Sequence, residues 1–231
     1  MIAVIINVLT VLIGSTIGML LKKGIPEKYS AAVMTAIGLF SIIIGLDGAF
    51  ESQNMLVLLI STILGVLTGT LLDIDGALNR LGEKVEQRFS KGGDGLVAKG
   101  FVTATLLFCV GSMTVVGSLQ AGTTGDTTML ITKSTMDLFS SLMLAVSLGL
   151  GVLLASGSVF IIEGGLVLLA SLLAPILSDV MIAEMTAAGS LMIIGIGFNL
   201  AGITKLKVAD YLPAIIFAPF VSLLFQTLGI G

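Results

Sequence analysis

The chain has 231 residues, of which 56% are hydrophobic and 11% charged, and its mean hydropathy is +1.15. Soluble domains carry about 25% charged residues, so this apolar excess is too large for one core and predicts a protein that lies in the lipid bilayer. The net charge is −3 and His is absent. These values argue against a basic nucleic-acid surface and remove the commonest metal ligand and general base. We therefore expect no nucleic-acid partner, no metal and no cofactor.

Windows without Asp, Glu, Lys or Arg divide the chain into membrane-spanning segments of about 20 residues. We predict an all-α, polytopic transmembrane bundle of about eight helices, forming a single integral membrane domain over residues 1–231. The break between the fifth and sixth helices is placed at Ser156-Gly157-Ser158. The predicted helices lie near 2–21, 29–47, 53–72, 98–121, 134–155, 158–178, 182–203 and 208–229.

The distribution of Lys and Arg predicts the orientation of these helices. Ten of the eleven basic residues fall in the first, third and seventh connections, and Lys133 is the exception. With eight helices these three connections share one side, which the positive-inside rule assigns to the cytoplasm. Both termini are then expected outside.

The polar segment 73–95 has apolar residues at helical spacing among charged ones. This pattern is typical of an amphipathic helix at the cytoplasmic membrane interface, and a helix packed beneath the bundle would give the same pattern. A non-transporting scaffold or regulatory protein that acts through this segment is therefore an alternative function.

Glycine-rich motifs recur along the chain. Gly14 with Gly18, and Gly65 with Gly69, are each four residues apart, which lets another helix approach closely or two copies form a homodimer. Gly111–Asp137 and Gly189–Asp210 both contain paired glycines, a polar amide and an Ile-Thr-Lys sequence before Asp. Because these segments would run in opposite directions, they predict an inverted-topology repeat, as in many secondary transporters. The predicted helix-packing glycines are Gly14, Gly18, Gly65, Gly69, Gly111, Gly117, Gly189 and Gly195.

Charged residues in membrane segments cost at least ~2.5 kcal/mol on insertion scales and tend to be paired and functional. Lys133 and Asp137 are one helical turn apart and can pair, with Asp137 expected to open the fifth helix. Glu163 interrupts an apolar run. For all candidates a structural role, such as helix capping or snorkelling to the interface, stays open. The candidates for a substrate or ion path are Asp47, Gln120, Lys133, Asp137, Glu163 and Asn199. Asn7 is expected to make an interhelical hydrogen bond.

No catalytic residues are expected, and the protein is predicted not to be an enzyme. Without His there is no Ser-His or zinc protease site, and Asp137 and Asp210 would lie near opposite membrane faces, too far apart for an aspartyl dyad.

The stretch VGSMTVVGSLQAGTTGD followed by KSTMDLFSSLMLAVSLGLGV resembles the bacterial YdfK/YqgA-like integral membrane proteins, a family without an assigned function. The resemblance extends over the whole chain. It implies a multi-pass protein of the bacterial cytoplasmic, or cell inner, membrane, and it implies no substrate and no functional residues. With the repeat and the intramembrane polar residues, we expect a transporter or channel for a cation or small polar solute.

Overall fold

The computed structural model describes residues 1–22, 27–89 and 95–229. All regular structure in these ranges is helical, so the predicted all-α class is confirmed. A 3-10 turn (Val208–Tyr211) precedes the last helix. The helices are α1 (Ile2–Lys22), α2 (Glu27–Ala49), α3 (Met55–Leu71), α4 (Ile74–Phe89), α5 (Leu96–Cys109), α6 (Ser112–Thr123), α7 (Thr128–Leu148), α8 (Leu150–Leu173), α9 (Asp179–Leu200) and α10 (Pro213–Leu228).

Six helical segments in the described part of the chain are long and apolar enough to cross a membrane. Two further candidates are bent pairs, α3 with α4 and α5 with α6, each with a bend of 56°. Counting each pair as one span gives the eight spans that the sequence predicts. Large apolar side chains such as Leu71 (85% exposed) and Ile161 (72% exposed) point outward from the bundle, as lipid-facing residues should.

The predicted fourth helix, 98–121, is two helices. α5 ends at Cys109 and α6 begins at Ser112, with Gly111 extended between them (φ −68°, ψ 158°). The Thr114 hydroxyl donates a 2.8 Å hydrogen bond to the backbone oxygen of Phe108. This oxygen lies in the last turn of α5 and so needs a partner from outside its own helix. The bend is therefore stabilised from within the bundle.

The boundary between the fifth and sixth predicted helices was wrong. α8 runs uninterrupted through Ser156-Gly157-Ser158, and the break falls at Gly149, whose φ of 67° suits a residue without a side chain. The fifth helix also starts earlier than 134, at Thr128. Because Lys133 and Asp137 pair within the helix, their charges do not end it, and Asp137 lies inside α7 rather than at its start.

The two glycine pairs at four-residue spacing lie at close helix contacts within one chain. A methyl group on Gly14 or Gly18 would overlap the backbone oxygens of Leu138 and Leu142 in α7, respectively. Since the contacts advance together along both helices, α1 and α7 are parallel. Gly65 and Gly69 are equally close to Ala214 and Asp210. These faces are thus covered, and a homodimer, which stays a prediction, would need another surface.

The remaining predicted packing glycines differ among themselves. A methyl group on Gly189 would lie 2.7 Å from the backbone oxygen of Val110, and one on Gly117 would lie 3.2 Å from the Leu130 side chain. Gly195 is similarly near Val208, at 3.2 Å. A methyl group on Gly111 would meet nothing within 4 Å, so this residue serves the helix break rather than a packing face.

The two segments predicted as inverted copies have different local structures. Gly111–Asp137 contains α6, a short connection and half of α7, and it follows the helix break. Gly189–Asp210 contains the second half of the uninterrupted α9 and the 3-10 turn. The inverted repeat accordingly stays a prediction.

The segment 73–95 contains α4, which packs against α5. The buried Glu86 accepts hydrogen bonds from the backbone N–H of Gly95 (2.9 Å) and Ala98 (3.3 Å) at the start of α5. Two aspartates hold the start of α4 against the 3-10 turn. The Asp75 N–H donates to the Asp210 carboxylate, and the Ala209 N–H donates to the Asp75 carboxylate. α4 is therefore fastened beneath the bundle, while Arg80, Lys84 and Arg88 stay exposed.

Candidate functional site

Four polar side chains meet inside the bundle, and we call them the buried polar network: Asn7 of α1, Lys133 and Asp137 of α7, and Glu163 of α8. The Lys133 ammonium pairs with Asp137 Oδ2 and lies 3.1 Å from Glu163 Oε1. Asn7 Nδ2 donates to Asp137 Oδ2 (3.0 Å) and to Glu163 Oε1 (2.7 Å). All four are buried, with exposed fractions between 0% and 7%. The network thus ties three helices together away from lipid.

Local helix geometry brings these groups together. Lys133 and Asp137 are one turn apart on α7, so their side chains meet on one face. Asn7 precedes Gly14 and Gly18 by about two and three turns, which places all three on the same face of α1. Because the two glycines let α1 approach α7 closely, the Asn7 amide reaches Asp137. The Thr10 hydroxyl donates to the Asn7 backbone oxygen (2.8 Å) and lies 3.3 Å from Asn7 Oδ1, while the amide N–H groups face the carboxylates.

The network has two carboxyl groups but one ammonium group. Glu163 Oε1 accepts from both Lys133 and Asn7, whereas Glu163 Oε2 is buried and has no hydrogen-bond partner among the described residues. Leaving a buried carboxylate oxygen without a donor costs free energy, because the charged group loses its hydration without replacement. If all three groups are ionised, the network carries one uncompensated negative charge.

Lys133 and Asp137 also line a cavity of about 640 Å³, which we call the outer cavity. It lies between α2, α5, α7 and α9, and its acidic residues near the C-terminal end of α2 are Asp47 and Glu51. We use "outer" for the side on which the α2–α3 connection lies. Apolar side chains such as Phe40 and Met143 form much of its wall. A large apolar cavity with a few convergent polar groups is the usual form of a ligand site.

A second cavity of about 350 Å³, the inner cavity, lies beside α4 at the other end of the bundle. Its polar lining residues are Asp75, Asn79, Glu83, Lys99, Thr103 and Asn199. Leu106 and Ile196 line the inner cavity, while Phe108 and Ile193, less than one turn away on the same helices, line the outer cavity. All four are buried. We call these four residues the apolar septum, since they are where the linings of the two cavities come closest along α5 and α9, just before the α5–α6 bend.

The six candidate path residues separate into three groups. Asp47, Lys133 and Asp137 line the outer cavity, and Glu163 lies behind the last two, in the middle of α8 rather than near a membrane interface. Asn199 lines the inner cavity, but its side chain mainly braces the connection after α9, bonding Leu206 N–H and C=O and the Thr204 hydroxyl. Gln120 lies in the last turn of α6, outside both cavity linings.

Sequence reasoning missed two members of the site. Asn7 was considered only as an interhelical hydrogen bond, although its spacing from Gly14 already placed it on the face that α7 covers. Glu51 was not among the candidate path residues. Partial withdrawal from water raises the pKa of Glu51, and the nearby negative charge of Asp47 raises it further. The signal available in the sequence was the spacing of Asp47 and Glu51, two acidic residues four positions apart at a helix end.

Glu184 is another buried acid, and it has structural partners instead. Glu184 is 0% exposed, and its Oε1 accepts from the backbone N–H of Gln53 (2.8 Å) and Asn54 (2.9 Å). Its Oε2 accepts from the Ser52 hydroxyl (2.8 Å). Both oxygens of this carboxylate therefore have donors, unlike those of Glu163.

Residues 2–223 match the family described as "Protein of unknown function (DUF554)". The chain belongs to this family. It is 30% identical to the uncharacterized membrane protein YdfK of Bacillus subtilis over 100% of this chain and 99% of YdfK. It is also 30% identical to the uncharacterized protein YqgA of Escherichia coli over 92% of each chain. The resemblance inferred from the central motif is thus confirmed. No solved structure matches the chain.

Proposed function

We propose that this protein is a membrane transporter or channel for a cation or small polar solute, and not an enzyme. The observation that supports this most is the pair of cavities whose linings come within three residues of each other on α5 and α9, at the apolar septum. A bundle built only for packing has no need of two cavities with charged lining residues whose linings come this close. In a transporter, such cavities are the two halves of one path.

The charges of the outer cavity favour a cation. Asp47 and Glu51 are exposed acidic residues of its lining, and Lys133 is compensated by its ion pair with Asp137. Burial is the larger cause of the raised pKa of Glu51 and the negative charge of Asp47 the smaller one, and a cation would offset that charge. An acidic vestibule also raises the local concentration of cations at its mouth.

The α5–α6 bend offers a means of opening the septum. Phe108 lies one turn or less from Gly111, and a side chain on Gly111 would meet nothing within 4 Å. Rotation of α5 relative to α6 about this residue would displace Leu106 and Phe108 together. Hinges of this kind absorb a backbone change at a few element-terminal residues.

We place the protein in the bacterial cytoplasmic membrane with both termini outside. The distribution of basic residues supports this orientation. Helix directions agree with eight alternating spans: α1 and α7 are parallel, and α2 and α9 are antiparallel, since Gly38 contacts Gly197 whereas Gly48 contacts Ser190. In this orientation the inner cavity faces the cytoplasm.

Flux through the purified protein in sealed liposomes tests the proposal. Gradients of Na⁺, K⁺ and H⁺ and a panel of small polar metabolites are applied in turn, with empty liposomes as the background. We expect flux above background for at least one solute, and it should fall when Asp47→Asn and Glu51→Gln are combined. Flux at background for every solute, from protein shown to be folded, would contradict the proposal.

The alternative function is a scaffold that acts through 73–95. The exposed basic residues of α4 are available to a partner, but the opposite side of the helix is committed to α5 through Glu86. Exchanging Arg80, Lys84 and Arg88 for Gln leaves these contacts in place. If this triple variant loses the protein's function in cells while its flux in liposomes is unchanged, the result favours the scaffold.

A further inference from the structure

The buried polar network has one carboxyl group more than it has cations, and the extra group is Glu163. Within the described ranges its Oε2 has no donor, and its side chain is 0% exposed. Asp137, by contrast, lines the outer cavity and keeps an exposed fraction of 7%. One added proton would remove the net charge, and Glu163 is the group that gains most from neutrality, because it cannot be hydrated.

We propose that Glu163 is a proton-binding site inside the bundle, filled from the outer cavity through Lys133. The Lys133 ammonium gives a proton to Glu163 Oε1 across their 3.1 Å contact and regains one from a hydronium ion in the outer cavity on the Asp137 side, leaving water. The sum is one proton moved from hydronium to the Glu163 carboxyl group, which changes the charge of the network from −1 to zero.

The surroundings of Glu163 suit a proton better than a metal ion. α8 packs against α1, α5, α6 and α7. The facing groups are Asn7 from α1, Lys133 and Asp137 from α7, and the thiol of Cys109 from α5, which lies within electrostatic reach. α6 contains no titratable residue. Among the described residues no group of three or more His, Cys, Asp or Glu side chains could hold a metal ion, whereas a proton needs one oxygen.

Protonation would change how the helices are connected. A neutral Glu163 attracts Lys133 less, so the ammonium group pairs with Asp137 alone and the ionic link between α7 and α8 is lost. Since Lys133 and Asp137 line the outer cavity, the charge presented to a bound solute also changes. This consequence rests on the proposed function, and it makes transport dependent on a proton gradient. The proton-binding site itself does not depend on transport.

Infrared titration of the purified protein in nanodiscs tests the site directly. Lowering the pH should produce a carboxylic-acid C=O band that exchanges slowly with deuterium and shifts when the glutamates carry a ¹³C label. Glu163→Gln, which keeps the shape and the neutral form, should abolish this band. Glu184→Gln is the matched control, because Glu184 is as deeply buried but both its oxygens have donors; the band should persist.

The outcomes are separable. Absence of a slowly exchanging glutamic-acid band in the wild-type protein would overturn the proposal, as would a band that persists in a folded Glu163→Gln protein. If that variant does not fold, the wild-type isotope shift still decides between Glu163 and the aspartates. A band without any solute flux would leave the proton site standing and remove the proposed transport function.

Discussion

Lys133 and Glu163 lie on neighbouring helices with 3.1 Å between the ammonium nitrogen and Oε1. This contact joins α7 to α8 at the level where Asn7 joins both to α1. The one basic residue outside the positively charged connections is therefore the one that neutralises acids inside the bundle. Its position is explained by the network and not by the orientation of the chain.

Removing the buried Lys133 cation should lower the free energy of unfolding much more than removing an exposed lysine. Lys133→Met leaves Asp137 and Glu163 buried without their counter-ion, a change that costs about 3–5 kcal/mol in other proteins. We expect a loss of this order in the free energy of unfolding, measured by denaturation in detergent micelles. Lys99→Met, at an exposed position, should change it by less than about 0.5 kcal/mol. Equal effects of the two substitutions would contradict the description of the network.

The α1–α7 contact predicts different results for two glycine substitutions. In Gly18→Ala the new methyl group would overlap the Leu142 backbone oxygen and lie 2.9 Å from Ala145 Cβ, so we expect a loss of roughly 1–3 kcal/mol. In Gly157→Ala the methyl group meets nothing within 4 Å. That variant should gain about 0.5–1 kcal/mol from helix propensity. Thermal unfolding of both in the same detergent compares them, and a stable Gly18→Ala would refute the close approach.

The apolar septum should control leakage between the cavities. Leu106→Ala shortens a 4%-exposed septum residue and opens a connection between the inner and outer cavities, so passive ion leak through liposomes should rise. Leu71→Ala serves as the control, because Leu71 is 85% exposed to lipid. An unchanged leak in folded Leu106→Ala protein would indicate that the two cavities belong to separate sites.

Asp47 and Glu51, the acidic pair of the outer cavity, lead to a prediction about the pKa of Glu51. Asp47→Asn removes the charge that adds to the raised pKa of Glu51, so this pKa should fall. It should stay above the ordinary value of 4.5, because withdrawal from water is the larger cause and remains. Titration by NMR with ¹³C-labelled glutamate measures the change. Asp126→Asn, at an exposed acid that accepts from the Thr128 N–H, should leave Glu51 unchanged.

The sequence predicted the class of the fold because membrane solubility is decided by composition and by the length of uncharged runs. It misplaced the ends of the fifth and sixth helices because it treated Lys133 and Asp137 as charges that end a span. Because the two charges pair within α7, placing them inside the membrane costs less free energy, and the helix continues through them. Ser156-Gly157-Ser158 has the composition expected at a helix break, yet α8 continues through it. The break falls at Gly149, and the positive φ of that residue is a property of the folded backbone that composition does not reveal.

The site was predicted less completely than the fold. The i, i+4 spacing indicated the Lys133–Asp137 pair, but nothing in the spacing of Glu163 says which helix it faces, since that depends on the packing of α1 against α7. The cavities are also invisible in the sequence, as they arise between helices distant along the chain. Asn199 shows the opposite error. Its place in the repeated motif predicted a path residue, but its polar side chain mainly braces the connection after α9.

Proton movement through the reconstituted protein tests the central claim most directly. A pH-sensitive dye is trapped in liposomes with the wild-type protein, Glu163→Gln or Glu184→Gln. An inward gradient of Na⁺, of K⁺ or of each small polar solute in the flux panel is imposed with the membrane potential clamped. A protein that exchanges protons at Glu163 should change the internal pH in the wild-type and Glu184→Gln liposomes and not with Glu163→Gln. An equal change with Glu163→Gln, or none with folded wild-type protein under any of these gradients, would contradict the account.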